Sequence, residues 1–448
     1  MSRRFSSPIV AAYLLLCILL GGSAQGVWTN LILQVAGLGL IAWAGLARRS
    51  AGDQDANPLV LQLICACAAL VILLQLIPLP ARIWTELPGR EQLAAALRLD
   101  GRPTPSMTVS EAPYDTLLTL LSVLPAIAAY VATRLLHPSP RWLAGAVVIG
   151  MVISIALGAL QVAGGAQSWA YFYEITNTGA VGVFANRNHM ATLLLAAAPF
   201  ATALLASSRV SRAGSAQGRI ALGSAMLVLV LVGIVLNGSL AALALIIPVL
   251  IASAALVPAA VRWRRLALPI AAIASIGGLA ILAVSPISTA GGEATSVESR
   301  QRIWATSFEA VSHSFPVGTG LGTFEQVYRQ FEDPAAVGVQ YVNHAHNDYL
   351  ELVLELGAAG LFLLLAFIAW WSVTAVKIWT SPLTTAFGRA ATIVSAAILA
   401  HSIVDFPLRT ASIAAIFAVA LALMLRRPRT AQGEGEGGSR RARHVRLG

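Results

Sequence analysis

Twelve apolar runs, each about as long as a bilayer core is thick, decide what this chain can become. They fall at about 8–24, 27–46, 59–79, 116–136, 142–163, 189–207, 220–236, 239–258, 266–284, 350–376, 388–405 and 410–425. Crossing the hydrocarbon takes roughly 17–25 residues of helix. Inside it, every backbone N–H and C=O must be paired within the protein, a demand that an α-helix meets segment by segment. The predicted fold is therefore an all-α polytopic membrane protein of about twelve transmembrane helices. Composition agrees: 11% of the 448 residues are charged, against about 25% in soluble domains, and mean hydropathy is +0.75.

The net charge of +10 would suit a nucleic-acid binder, but its distribution reports topology instead. An even number of spans puts both termini on one side. With that side inside, 21 of the 30 Lys and Arg residues are cytoplasmic and every inner connection is basic. Only Asp53, Asp55, Glu434 and Glu436 of the 20 acids share that side. This positive-inside pattern predicts a membrane protein with cytoplasmic termini and no nucleic-acid partner. The tail 426–448, "RRPRTAQGEGEGGSRRARHVRLG", reads as a disordered basic anchor of topology, with contact to anionic membrane lipids as the second reading. The first run also resembles a signal peptide, but removing it would leave an odd span count. Cys17, Cys65 and Cys67 fall inside apolar runs and read as small core residues, so no disulfide or zinc framework is predicted.

The bundle, residues 1–425, carries three outer loops: 80–115, 164–188 and 285–347. In the first, Leu87, Leu93, Leu97 and Leu99 predict a short surface helix. The third is too long for a mere connection. Its stretch "SVESRQRIWATSFEAVSH" predicts a helix with Val297, Ile303, Trp304, Phe308 and Val311 as the apolar face. "SFPVGTGLGTFEQVYRQF" then predicts a Gly- and Pro-rich turn leading into a second helix. The loop is expected to be mostly helical and packed across the outer mouth of the bundle. Gly318, Gly320 and Gly322 lack the βαβ unit of a dinucleotide site. They read as a turn, with backbone N–H groups offered to an anion as the functional alternative.

Polar groups gather in "NHAHNDYLELVLELGAAG", residues 343–360. Asp348 is the predicted N-cap of the following helix, with Glu351 closing a capping box. Asn347, Glu351 and Glu355 are spaced i, i+4, i+8 and should face inward, because lipid-facing acids are costly. The plain reading is that the acids cap the helix and pair with arginine. His344 and His346 precede the helix, outside the membrane, where an imidazole suits general-base work. No spacing here matches a zinc motif, so no metal is predicted. Arg187 in "NRNH" and Arg300 and Arg302 on the large loop could together grip phosphate. The candidate residues are thus His346, Asn347 and His344, with Arg300, Arg302 and Arg187 binding a phosphate-bearing lipid. His401 and Asp405, followed by Arg409, read first as a buried brace and second as a substrate contact.

An ordered set of motifs carries a family resemblance: "GVFANRNHMA" (182–191), "SRQRIW" (299–304), "PVGTGLGTFEQVY" (316–328), "HAHNDYLELVLELGAAGL" (344–361) and "HSIVDFPLR" (401–409). Across roughly residues 180–410 the chain resembles the O-antigen ligase and Wzy-type polymerase superfamily. The resemblance implies a glycosyltransferase of the bacterial inner membrane with no cofactor, acting by metal-independent inverting transfer, with its active site held by the large periplasmic loop. The donor would be an undecaprenyl-diphosphate-linked glycan. The acceptor would be lipid A core for a ligase, another lipid-linked repeat for a polymerase, or protein. It places the family's catalytic histidine on His346 and its loop arginine on Arg300, with Arg302 and Arg187 as further diphosphate ligands. One departure stands out. Many relatives carry Ser-Arg and a small residue where this chain has "LNGSLAA" (236–242). Either Arg187 or Arg302 substitutes, or the donor differs. The rival readings are a precursor transporter or flippase, with Glu351 or Glu355 coupling protons, and a non-catalytic partner of polysaccharide export. Transport is disfavoured because the polar groups gather at the outer mouth and no inverted repeat is visible.

Overall fold

The computed structural model describes residues 3–24, 27–47, 58–99, 101, 103–173, 179–207, 216–257, 269–271, 273–275, 293–337 and 341–426. Among these the architecture is all-helical, apart from one isolated antiparallel bridge, Leu79 to Met107. The helices are α1 (Arg3–Leu20), α2 (Trp28–Leu46), α3 (Leu59–Gln75), α4 (Ala81–Trp84), α5 (Glu91–Leu99), α6 (Pro113–Ser122), α7 (Leu124–Leu136) and α8 (Pro140–Gly164). They continue with α9 (Arg187–Ser207), α10 (Ala216–Asn237), α11 (Leu240–Ala254), α12 (Glu293–Ser314), α13 (Phe324–Phe331), α14 (Asp348–Thr380), α15 (Ala386–His401) and α16 (Ala411–Met424).

Among the described residues, six stretches are long and apolar enough to cross a membrane: α2, α6 with α7, α8, α9, α10 from Ile220, and α14. Helices α1, α3, α11, α15 and α16 are apolar but shorter. Together they account for every predicted run except 266–284, which lies largely outside the described residues, as do the tail and the opening of the large loop. The architecture is that of a polytopic membrane protein.

Helix α9 is the axis of the bundle. It packs against α8, α10, α11 and α15, and every residue from Asn188 to Ala201 is buried. A helix apolar on all sides belongs in a core. Small residues let its neighbours approach: a Cβ on Gly158 would meet Ala180 and Met190 at 3.0 and 3.3 Å. Cys17 is buried as expected, but Cys65 and Cys67 are exposed on α3, because that helix buries only Leu61, Ile72 and Gln75.

A second, smaller core sits over one end of the bundle. It joins Ile303 and Ala310 of α12, Phe324, Val327 and Tyr328 of α13, and Ala345 and Leu354. The apolar face predicted for α12 needs correction. Phe308 is 61% exposed, and the buried stripe is Ile303, Ser307, Ala310 and Ser314. Helix α12 packs on both α13 and α14, so small side chains line the stripe. Ser307 and Ser314 return their hydroxyls to the carbonyls of Ile303 and Ala310. The predicted surface helix of the first loop is α5, which buries Ala94 rather than its leucines.

Helix α14 is broken where it matters. Its 33 residues would span about 50 Å, well beyond a hydrocarbon core of about 30 Å. At Gly357 the backbone turns to φ 61°, ψ −143°. This break separates the polar segment 348–356 from the apolar stem 358–380. The freed carbonyls of Leu354 and Glu355 accept N–H groups from Thr319 (3.1 Å) and Gly320 (2.9 Å), and Ala358 N–H donates to Pro316. The turn therefore binds no outside anion through its backbone. Its amides from Val317 to Thr323 are all taken by protein acceptors, and the carboxylate that Gly322 N–H meets, at 2.8 Å, is that of Glu355.

Candidate functional site

The polar segment of α14 starts one residue earlier than predicted. Asn347 is the N-cap, its Oδ1 accepting the N–H groups of Tyr349 and Leu350 at 3.0 Å each. Asp348 is the first helical residue. Its Oδ2 accepts from Ser402 Oγ at 2.7 Å, so it ties α14 to the turn after α15. The predicted capping box does not form. Glu351 instead reaches back into the preceding loop, accepting from Ala345 N–H at 3.0 Å and meeting His344 Nδ1 at 2.8 Å.

Glu351 and Glu355 do face inward, and both are buried. Their partner is Arg409. It grips Glu355 with two hydrogen bonds (2.8 and 3.3 Å) and lies 3.4 Å from Glu351 and 3.8 Å from Asp348. Burial opposes the guanidinium charge, and the three carboxylates more than offset it, raising Arg409 above its ordinary range. The pairing half of the plain reading therefore describes these acids.

Beside this brace lies a second cluster around Asp405, which is fully buried. Its carboxylate accepts from Phe406 N–H at 2.8 Å, from Asn186 Nδ2 at 3.4 Å and from Asn188 Nδ2. Three cationic or titratable groups surround it: His346 Nδ1 at 3.5 Å, Arg300 at 3.7 Å and His189 Nε2 at 3.8 Å. Burial alone would raise this carboxyl. The neighbouring His346, with His189 and Arg300, holds it well below the usual carboxylate range. Phe406 stands among three imidazoles, with ring centroids 4.2 Å from His344, 5.0 Å from His346 and 4.9 Å from His189. His346 itself has φ 50°, a left-handed backbone uncommon for a residue with a Cβ.

The structure thus brings His346, His344 and Arg300 together. His346 and Arg300 each leave about a quarter of the side chain exposed (25% and 24%), while Asp405 behind them is sealed at 1%. Arg302 is exposed, and its charge acts on Tyr328 instead. Arg187 is half-buried at the start of α9, and its carbonyl accepts from Asn237 Nδ2 at 2.8 Å. That contact sets Arg187 against the "LNGS" turn. Ser239 of the same turn donates to Asn188 Oδ1 at 2.7 Å and so joins the Asp405 cluster. His401 meets Thr192 Oγ1 at 2.8 Å.

Sequence reasoning underrated Asp405 and missed Asn186, Asn188 and His189. The available signal was a run of polar residues opening an otherwise apolar helix, since polar groups at membrane depth are costly unless they serve a cluster. Among the described residues no three His, Cys, Asp or Glu side chains form a metal-holding group.

Chemically, the arrangement sets a carboxylate behind the Nδ1 of a partly open imidazole, with a guanidinium beside that carboxylate. Nδ1, rather than Nε2, is the ring nitrogen that faces the Asp405 carboxylate, at 3.5 Å. Comparison with curated proteins found no match. Residues 225–365 match the family model described as O-Antigen ligase. The segment runs from α10 through the large loop into α14, and so includes Arg300, His344 and His346. By this match, roughly a third of the chain is similar to the O-antigen ligase family, which supports the resemblance to the O-antigen ligase/Wzy superfamily.

Proposed function

We propose that the protein is an inner-membrane glycosyltransferase that moves a glycan from an undecaprenyl-diphosphate donor to an acceptor hydroxyl at the periplasmic face. The observation that carries this reading is the His346–Asp405–Arg300 cluster: a base, its buried carboxylate and a half-open cation within one small volume.

The acceptor O–H gives its proton to His346 Nε2 as its oxygen attacks the anomeric carbon from the face opposite the diphosphate. The C1–O bond breaks with its electrons leaving on the diphosphate oxygen, and the configuration inverts. Arg300, with Arg187 at the neighbouring turn, meets the charge that develops there. Asp405 stabilises the imidazolium that forms. His344, locked to Glu351, lines the acceptor side. Asn347 holds the helix start that presents His346. Arg302 lies at the outer rim, where a longer glycan would pass. Leu240 stands after Ser239, where relatives place arginine, and Arg187 supplies the positive charge at that turn.

Purified protein tests this reading when given an undecaprenyl-diphosphate-linked glycan with lipid A core or with a second lipid-linked repeat, in separate reactions. Transfer to core assigns a ligase, and extension of the repeat assigns a polymerase. Release of undecaprenyl diphosphate with neither acceptor glycosylated in either reaction would contradict both.

A further inference from the structure

The backbone of Ala345 is held from both sides, by α12, which carries Arg300, and by α14, which starts just after His346. Its N–H donates to Glu351 Oε2 of α14 at 3.0 Å. Its carbonyl accepts from the indole N–H of Trp304 on α12 at 2.9 Å. The other oxygen of Glu351 holds His344, the residue before it, at 2.8 Å. The Ala345 side chain is itself fully buried in the small core with Ile303 and Leu354. The next residue is His346, with its left-handed backbone, a conformation that persists only when neighbours hold it. On α12, Trp304 follows Arg300 by four residues and so shares its face.

We propose that the Trp304–Ala345–Glu351 bridge sets the separation between Arg300 and His346, and that Trp304 and Glu351 are positioning residues for transfer. The bridge rests on the functional reading above. Arg300 addresses the diphosphate and His346 the acceptor hydroxyl, so their spacing determines whether the two substrates meet in line. The flanking bond from Arg300 to Asp405, at 3.7 Å, is too long to fix that spacing. The indole hydrogen bond is short and ties α12 directly to the peptide preceding His346. A displacement of about 1 Å between reacting groups costs up to about 100-fold in rate. Losing the indole N–H should therefore slow the chemical step while leaving each substrate able to bind.

Trp304 also packs, in part, against the bundle core, so the test must hold its shape constant. Replacing it with 3-benzothienylalanine keeps the ring size and puts sulfur in place of the N–H. In full-length protein, the rate of glycan transfer is read beside the affinity for undecaprenyl diphosphate and the melting temperature. The bridge predicts a kcat lower by about 10- to 100-fold, with donor affinity and acceptor KM within about twofold and melting unchanged. Trp304→Phe should show the same split. An unchanged kcat in the benzothienyl protein, beside an inactive His346→Ala, overturns the bridge and leaves the functional reading standing. Parallel loss of kcat, affinity and melting temperature also overturns it, making Trp304 a packing residue. An active His346→Ala overturns the functional reading and the bridge with it.

Discussion

Asp405 draws on residues from four places in the chain: Asn186 and Asn188 at the start of α9, Arg300 on α12, His346 before α14 and its own neighbour Phe406. Replacing it with asparagine keeps the shape and removes the charge. Transfer should fall by about 100-fold or more in Asp405→Asn, because the imidazolium loses its counter-charge. The pH profile carries the sign. A carboxylate held below its unfolded value of about 3.9 adds stability above that value and loses it as pH falls through the folded one. Asp405 therefore stays ionised from pH 5 to 8, and it does not cause loss of activity in that window. Activity should decline on acidification because a base must be neutral. Arg409 makes a structural prediction. Arg409→Met leaves three buried carboxylates facing no guanidinium and should destabilise by about 3–5 kcal/mol, read as a lower melting temperature in detergent. Arg409→Lys should rescue only in part, because the two-point grip on Glu355 is lost. At this scale the sequence exposed His346, His344 and Arg300, because charged residues stand out in an apolar chain. The role of Asp405 was obscured because its partners are far away along the chain.

Among the elements, α14 departs most from its sequence pattern. Apolar periodicity predicts one continuous helix, and nothing in composition marks Gly357 as a break. The cause is tertiary: the turn at Pro316–Gly320 docks against the helix and takes the carbonyls that a break releases. A Cβ at Gly357 would lie 2.1 Å from Pro316 O, on a backbone at φ 61°. Gly357→Ala should therefore destabilise the site end by about 1–3 kcal/mol, seen as faster amide exchange at 316–323 and 354–358. Exchange no faster than in the wild type would mean that the helix and turn do not hold each other. The glycines of the turn were legible as a turn. Their partners were not, because carbonyls of α14 and the Glu355 carboxylate, far along the chain, meet amides that an external anion would have used.

For the whole molecule, apolar runs and positive charge predicted a helical membrane bundle, and eleven of the predicted runs coincide with apolar helices. Hydropathy reads this well because membrane helices must be apolar along their length. It reads the cap poorly, since α12 buries serines and exposes Phe308. The orientation makes its own prediction. Asp333 is exposed on the large loop, so Asp333→Cys should react with a membrane-impermeant maleimide in intact spheroplasts, above the background of the native cysteines. Reaction only after lysis would invert the topology. The most direct test of the account compares wild-type protein with His346→Ala, both purified in detergent and supplied with the undecaprenyl-diphosphate glycan and its acceptor. The account predicts glycan transfer by the wild type and a loss of at least about 100-fold in the variant, with folding and donor binding retained. Near-normal transfer by a folded His346→Ala protein would contradict it.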